Sequence, residues 1–229
     1  LSALGWVAGG AQAVVDALQA AVTADGTLVM PTHSSQYSNP HNWSNPPVPD
    51  DWIPKIRASM PAYRPDVTPT RDVGTIPELF RTYPGVVRSD HPVYSFAAWG
   101  AGAESIVADH ALDNGLGERS PLAGVYDRDG AILQLGATHD TNTSLHLAEY
   151  RADLETGTVS NRVPVLRDGE RVLVEYEDID ITTEDFLDIG SAYENEHAFE
   201  RGTVGDASAK LLDQRSMVDF AVEWMEANR

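Results

Sequence analysis

Two pairs of a histidine and a carboxylate lie close together in the middle of the chain: His139 with Asp140, and His146 with Glu149. A carboxylate beside an imidazole fixes its tautomer and stabilises the imidazolium, which makes the pair a tuned general base. Acylation of an amine needs such a base, because an alkyl ammonium must lose a proton before its nitrogen attacks a thioester. The same residue types also occur in helix caps and buried hydrogen-bond networks, so a structural role stays open.

The sequence around these pairs predicts a strand-to-helix corner. A buried strand over 131–135 ends at Gly136, and a helix capped by Asn142 or Thr143 runs to about Ala152. In α/β sheets, ligands bind beyond the carboxyl ends of strands, at this kind of junction. Thr143 and nearby backbone N–H groups are the predicted donors for an oxyanion formed there.

Helical and strand patterns alternate along most of the chain. The predicted helices lie at 11–24, 75–83, 103–111, 120–126 and 207–228, and the predicted strands at 27–30, 94–99, 163–166 and 171–176. This order predicts a three-layer α/β/α fold with a central sheet, and the hairpin signal Asp168-Gly169 makes that sheet mixed. We expect a single domain over 1–229, in which 155–200 could form a small substrate lobe. The proline- and aromatic-rich segment 33–69 is predicted to be a long functional loop.

The charge balance limits the possible partners. The chain has 35 acidic and 16 basic residues, a net charge of −19. Nucleic acid and anionic membranes are therefore poor partners, whereas a polycation would be attracted, although solubility alone also explains such a charge. The absence of cysteine excludes thiolate metal sites and an acyl-cysteine intermediate, and it fits a cytoplasmic location. No apolar run approaches the roughly 20 residues that span a bilayer.

Two shorter features have both a functional and a structural explanation. Gly9-Gly10 precedes the first helix, where backbone N–H groups can approach an anion such as a pyrophosphate, but a plain turn is the other explanation. His91 precedes Pro92, which favours an extended backbone, and it is either a binding residue or the support of a loop.

Five segments in this order resemble the aminoglycoside N(3)-acetyltransferase family, and the likeness covers nearly the whole chain. They are Leu-Ser-Ala-Leu-Gly-Trp-Val-Ala-Gly-Gly at 1–10, Gly-Thr-Leu-Val-Met-Pro-Thr at 26–32, Gly-Thr-Ile-Pro-Glu-Leu-Phe-Arg at 74–81, Arg-Ser-Asp-His-Pro-Val-Tyr-Ser-Phe at 88–96 and His-Asp-Thr-Asn-Thr-Ser-Leu-His-Leu-Ala-Glu at 139–149. The resemblance implies an α/β/α fold distinct from the GNAT acetyltransferases. It also implies acetyl-CoA as donor and direct transfer to an amine. Family members usually carry a further strand before the turn with which this chain begins, so an N-terminal strand is expected to be missing.

The resemblance also implies where the site residues lie. The residues expected near CoA are Ser2, Leu4, Gly5, Val7, Gly9, Gly10 and Ser120. The catalytic region holds His139, His146, Glu149 and Thr143, and which histidine is the base stays open. We expect the cationic substrate in an acidic cleft between the 33–69 loop and the C-terminal segment, whose carboxylates include Glu184 and Asp185. The predicted substrate contacts are His91, Tyr37, Asp140, Asp188 and Glu194.

These features predict an acetyl-CoA-dependent N-acetyltransferase that modifies the 3-amino group of the 2-deoxystreptamine ring of aminoglycoside antibiotics and so confers resistance. We expect a monomer or homodimer without a metal. One alternative is an acyltransferase of the same fold for a different amine. A second is a metal-dependent hydrolase that uses the histidines and carboxylates of 139–149. A third is a protein that binds the drug without turnover.

Overall fold

The computed structural model describes residues 1–44 and 46–229, over which helices and strands alternate. The helices are α1 (Gly10–Val22), α2 (Ile53–Ser59), α3 (Thr75–Phe80), α4 (Ala103–Val107), α5 (Pro121–Tyr126), α6 (Leu145–Arg151), α7 (Phe186–Glu196) and α8 (Gln214–Asn228). The strands are β1 (Thr27–Pro31), β2 (Val87–Arg88), β3 (Phe96–Gly100), β4 (Ala131–Leu135), β5 (Thr158–Arg167), β6 (Glu170–Ile179), β7 (Glu200–Val204) and β8 (Ala207–Asp213). None of the helices in the described residues is long and apolar enough to cross a bilayer.

The described strands form three small antiparallel sheets, ordered β1-β3-β2, β4-β8-β7 and β5-β6. The α/β class is confirmed, but these sheets stand in place of the single central mixed sheet that was predicted. The reason is visible where β1 ends, because Pro31 lies opposite Phe96, the first residue of β3. The end of β1 and the start of β3 thus lie at the same end of the sheet. β1 and β2 run in the same direction but do not pair with each other, because β3 lies between them and is antiparallel to both.

Helices cover both faces of the β1-β3-β2 sheet. Met30 and Ala97 face α1 and α3, where Phe80 is fully buried. The neighbouring Val29 and Phe96 face the opposite way, into the main core formed with α5, α6, α7 and α8. This alternation follows the period-two geometry of a strand and produces three layers. Burial of a side chain such as Phe80 contributes about 2–3 kcal/mol to stability.

The β4-β8-β7 sheet corrects two predictions. Residues 207–213 form the central strand β8 and not the first half of a helix, and α8 begins only at Gln214. Pairing with β4 on one side and β7 on the other overrides the local helical pattern. The Asp213 side chain then accepts a hydrogen bond from the N–H of Ser216 and caps α8. The strand β4 is buried on one face only, since Leu133 is 46% exposed.

The segment 33–69 is more ordered than the predicted loop. It contains α2 and short 3-10 helices at Ser35–Tyr37, Pro40–Asn42 and Asp50–Trp52. The guanidinium of Arg88 holds both ends of this segment, because it donates to the carbonyl oxygens of Thr32 and Thr68 at 2.6 Å each. The irregular backbone is therefore fixed by hydrogen bonds that a scan for periodicity does not detect.

The predicted hairpin around Asp168-Gly169 is confirmed, and its strands are longer than expected. Both turn residues have positive φ, 52° and 80°, as a tight two-residue hairpin turn requires. The side chain of Val163 on β5 is fully buried in a cluster with Tyr37 and Tyr63, so the hairpin packs on the 33–69 segment. A substrate lobe at 155–200 stays a prediction.

Candidate active site

The strand-to-helix corner after β4 is present. Gly136 follows β4 with a positive φ of 62°, and a 3-10 helix at His139–Thr141 leads into α6, with Thr143 half-buried just before it. A Cβ on Gly136 would lie 2.4 Å from the Cβ of Ala3, so only glycine fits here. The same contact shows that the N-terminal turn lies directly against the corner.

His146 and Glu149 form an imidazole–carboxylate pair on one face of α6. Nδ1 of His146 lies 2.5 Å from Oε2 of Glu149, across three residues of helix. Because a carboxylate only accepts hydrogen bonds, Nδ1 carries the proton and Nε2 carries the lone pair. Nε2 makes no hydrogen bond to any described residue, and 9% of the residue surface is exposed. The geometry leaves this nitrogen free to accept a proton from a substrate.

The other oxygen of Glu149 is held by two donors. Oε1 accepts hydrogen bonds from the backbone N–H of Thr182 at 3.0 Å and from Nη1 of Arg229 at 2.8 Å. Arg229 follows α8, and its Nε and Nη2 also donate to both oxygens of Asp185, at 2.7 and 2.6 Å. Hydrogen bonds to Asp185 and Glu149 raise the pKa of Arg229 above its ordinary value. The pair on α6 is thereby tied to α7 and α8.

His139 is the second candidate base, and both of its ring nitrogens face protein groups. Nε2 lies 2.8 Å from Oε1 of Glu194, and Nδ1 lies 3.4 Å from the amide nitrogens of Gln134 and Asn142. Gly190 on α7 packs so closely that a Cβ there would be 2.1 Å from Cγ of the imidazole. Burial lowers the pKa of His139, although Glu194 acts in the opposite direction. The ring is thus fixed inside the protein, with 4% of the residue exposed.

The predicted substrate carboxylates differ in their surroundings. Glu194 also accepts hydrogen bonds from Lys210 and from Arg201, the latter at 3.1 Å. Burial works to raise the pKa of Glu194, but the hydrogen bonds from Lys210 and His139 outweigh it and the pKa is lowered. Two cations already neutralise this carboxylate, which argues against a contact with a cationic substrate. Asp140 and Asp188 are exposed and face solvent.

His91 and Tyr37 lie inside the protein. His91 has no exposed surface, and its Nδ1 accepts the backbone N–H groups of Val93 and Tyr94 at 3.1 and 2.9 Å. The Tyr37 ring is buried edge-to-face against Tyr63, with 5.9 Å between ring centroids. These positions favour structural roles for both residues over the predicted contacts with substrate.

Two further histidines, the buried His110 and the half-buried His33, were not among the predicted site residues. His110 lies 2.9 Å from Oγ of Ser89 and 2.7 Å from the carbonyl oxygen of Gly115, and burial lowers its pKa to about 4. His33 follows β1, and its Nε2 is buried with no hydrogen-bond partner among the described residues. Burial, followed by repulsion from His146, lowers the pKa of His33 to about 3. The sequence signal that could have identified His33 is its position just after the end of a strand, where ligands bind in α/β folds.

The metal-binding alternative requires the histidines and carboxylates of 139–149 to converge on one point. His139 pairs with Glu194 on α7, whereas His146 pairs with Glu149 on α6, so the two histidines use separate carboxylates. Within 1–44 and 46–229, no three histidine, cysteine, aspartate or glutamate side chains come together as potential metal ligands.

The N-terminal turn exposes backbone where α1 begins. Gly9 is the N-cap of α1 with a φ of 86°, and no described side chain caps the helix. The N–H of Gly10 already donates to the carbonyl oxygen of Val7 at 2.9 Å, whereas the next N–H groups of this 13-residue helix are available to an anion. Two predicted CoA contacts face inward: Leu4 is buried, and the buried Ser120 caps α5 by accepting the N–H of Leu122 at 3.2 Å. The other predicted CoA contacts are exposed or half-buried, namely Ser2, Gly5, Val7, Gly9 and Gly10.

Comparison with known proteins identifies relatives along the whole chain. A family profile described as aminoglycoside 3-N-acetyltransferase matches residues 1–226. The YokD protein of Bacillus subtilis, described as an SPbeta prophage-derived aminoglycoside N(3')-acetyltransferase-like protein, is 47% identical over 229 residues, which are 100% of this chain and 84% of that protein. Its crystal structure matches with a TM-score of 0.97 at 46% identity, over 100% of this chain and 84% of that chain.

Two ligand-bound structures are also similar. AAC-VIa bound to sisomicin is 34% identical, with a TM-score of 0.89 over 100% of this chain and 88% of that chain. The AAC-IIIb binary complex with CoASH is 31% identical, with a TM-score of 0.87 over 99% of this chain and 87% of that chain. The fold is therefore that of the aminoglycoside acetyltransferases. By its family profile and its relatives, the chain belongs to the aminoglycoside 3-N-acetyltransferase family.

Proposed function

We propose that this protein transfers the acetyl group of acetyl-CoA to the 3-amino group of the 2-deoxystreptamine ring of an aminoglycoside. Family membership supports the reaction, and similar proteins bind sisomicin and CoASH. The observation that carries the proposal is the His146–Glu149 pair, whose Nε2 faces no protein partner among the described residues. The need for acetyl-CoA and the absence of cysteine support a cytoplasmic location.

His146 is the general base of this scheme, assisted by Glu149. Nε2 removes a proton from the substrate ammonium, and Glu149 stabilises the imidazolium through Nδ1–H. The freed amine attacks the thioester carbonyl carbon, so that a C–N bond forms and the carbonyl oxygen becomes an oxyanion. When the carbon–sulfur bond breaks, the nitrogen gives up its second proton, which passes to the departing thiolate of CoA and yields an amide and a free thiol. The first proton leaves Nε2 of His146 to solvent and restores the base. His139 is less suited to this role because both its nitrogens face protein groups.

The donor is proposed to lie along the start of α1. The free N–H groups there suit the phosphates of CoA, and Ala3 brings the turn against Gly136 at the corner. An extended donor that begins at α1 can thus reach the corner with its thioester end. The hydroxyl and backbone N–H of Thr143 are the proposed oxyanion donors, because the neighbouring N–H groups of Asn142 and Ser144 already donate within the corner.

The acceptor is proposed to be held by carboxylates on the acidic surface. Asp140 and Asp188 are exposed and remain the proposed partners of substrate ammonium groups. A net charge of −19 attracts a polycation at long range and raises its rate of association. Salt screens this attraction, so kcat/KM for the aminoglycoside is expected to fall as ionic strength rises.

The proposal is tested by incubating the purified protein with acetyl-CoA and sisomicin, gentamicin or kanamycin. Thiol release gives the rate, and mass spectrometry with fragmentation locates the acetyl group. We expect one acetyl group on the 3-amino position of the 2-deoxystreptamine ring. Acetylation of another amine alone would favour the acyltransferase alternative. Calorimetric binding of the drug without any thiol release would favour a drug-binding protein, and both outcomes contradict the proposal.

A further inference from the structure

We propose that Arg229, clamped by Asp185, is a positioning residue that orients Glu149 and sets the pH range in which His146 acts as a base. The inference rests on the proposed function, because it assumes that His146 and Glu149 perform the proton transfer. It concerns two residues whose described hydrogen bonds run to Glu149 or to each other and not to the imidazole.

The guanidinium of Arg229 links the ends or sides of three helices. Glu149 is on α6, Asp185 precedes α7 and Arg229 follows α8, at sequence separations of 80 and 44 residues from Arg229. The side chains of Arg229 and Asp185 are 18% and 20% exposed, and that of Glu149 is 1% exposed. The bidentate pair with Asp185 uses Nε and Nη2 and holds the guanidinium in one orientation. Nη1 therefore points in a fixed direction, towards Glu149.

The hydrogen bond from Nη1 of Arg229 fixes how the Glu149 carboxylate faces the imidazole. Oε1 receives the donors from Arg229 and from the backbone of Thr182, which leaves Oε2 for Nδ1 of His146. Without the arginine, a buried carboxylate would lose its only described cation and one of its two donors on Oε1. The carboxylate could then rotate, and the imidazole would lose both its orientation and its preferred tautomer.

The positive charge also affects the proton affinity of the pair. The titratable groups around the pair are Arg229 after α8, Asp185 before α7, His33 after β1 and Tyr94 before β3. A cation beside Glu149 opposes binding of a further proton by the imidazole–carboxylate pair as a unit. Removal of the cation therefore makes the pair hold its proton to higher pH, whichever of the two groups carries it. We expect the acidic limb of the kcat/KM–pH profile to move to higher pH.

The experiment measures kcat, both KM values and the pH profile of thiol release for Arg229→Ala, Arg229→Lys and Asp185→Asn. We expect Arg229→Ala to lower kcat by roughly 10- to 100-fold, with the KM for acetyl-CoA unchanged and the acidic limb at higher pH. Arg229→Lys restores the charge, so it should return the limb towards its original pH while kcat recovers in part. Asp185→Asn keeps the cation and removes the clamp, so it should lower kcat by a smaller factor than Arg229→Ala does.

Arg151→Ala is the matched control, because Arg151 lies on α6, is 20% exposed and pairs with Glu118 away from the base. It should keep the wild-type kcat and pH profile. If Arg229→Ala does not fold, Arg229→Lys and Asp185→Asn carry the test through their lowered kcat. The inference is overturned if the folded Arg229 and Asp185 variants keep the wild-type kcat and pH profile while His146→Ala is inactive. If His146→Ala is also fully active, the proposed function itself has failed.

Discussion

Nδ1 of His146 lies 2.5 Å from Oε2 of Glu149, and the two residues are one helical turn apart on α6. Phe186 covers one side of the pair, with 4.8 Å between the centroids of its ring and the imidazole. A base in this setting has one nitrogen committed to its carboxylate and one nitrogen for the substrate. The contact therefore assigns a different role to each member of the pair, and each role can be tested separately.

Glu149→Gln tests the role of the carboxylate. A glutamine amide can donate to Nδ1, which moves the imidazole proton to Nε2 and blocks the nitrogen that must accept the substrate proton. We expect kcat to fall by on the order of 10²–10⁴-fold, measured by thiol release at saturating substrates. Glu118→Gln, at a carboxylate that is 55% exposed, is the control and should leave kcat unchanged. A Glu149→Gln enzyme with kcat near that of the wild type would refute the role of the carboxylate.

Gly190→Ala tests the packing that encloses His139. Alanine in a helix normally stabilises by up to about 1 kcal/mol relative to glycine, but here its Cβ would lie 2.1 Å from the imidazole Cγ. The clash should dominate and lower the free energy of unfolding in urea by about 1–3 kcal/mol. Gly124→Ala is the control, since its nearest contacts are at 3.6 Å and the propensity gain should be retained. Equal or greater stability of Gly190→Ala would contradict the tight contact.

The corner could be predicted from the sequence because its signals are local. Gly136 stops a strand, and the three-residue spacing of His146 and Glu149 puts both on one helical face. The clamp of Arg229 could not be predicted, because its partners lie 44 and 80 residues away and no periodic pattern links them. The carboxylate of Asp185 was expected in a substrate cleft, and the structure shows that it pairs with Arg229.

The C-terminal region shows a second limit of sequence patterns. Leu211 and Leu212 fit a helical stripe and equally fit a strand, because adjacent apolar residues occur in both. In the structure Leu212 is buried in the main core while Leu211 is 41% exposed, as alternating strand residues are. The choice is made by hydrogen bonds to β4, which is distant in the sequence, and to β7, which directly precedes β8. Tertiary pairing therefore decides what local propensity leaves open.

Buried neutral histidines should make the fold sensitive to acid. Burial lowers the pKa of His110 to about 4 from an ordinary value of 6.5. Between these values the unfolded chain binds a proton that the folded chain does not, so the free energy of unfolding falls as the pH drops through this window. Full protonation in the unfolded state alone would cost up to about 3 kcal/mol, and above pH 6.5 the effect vanishes.

The measurement is urea denaturation at about pH 7.5 and about pH 5 for the wild type and His110→Gln. Glutamine can still donate to the carbonyl oxygen of Gly115 but does not titrate in this range. We expect the variant to lose less stability between the two pH values than the wild type loses. An identical loss in both proteins would show that His110 does not contribute. His33 and His91, whose pKa values burial also lowers, should add to the residual pH dependence of the variant.

The most direct test of the account is kcat of His146→Ala compared with that of His139→Ala, measured by thiol release with saturating acetyl-CoA and aminoglycoside. We predict a loss on the order of 10²–10⁴-fold for His146→Ala, because the substrate ammonium then has no base. Folded His139→Ala should stay within about tenfold of the wild type, because both nitrogens of His139 face groups inside the protein. Wild-type kcat in His146→Ala, or a large loss only in folded His139→Ala, would contradict the account.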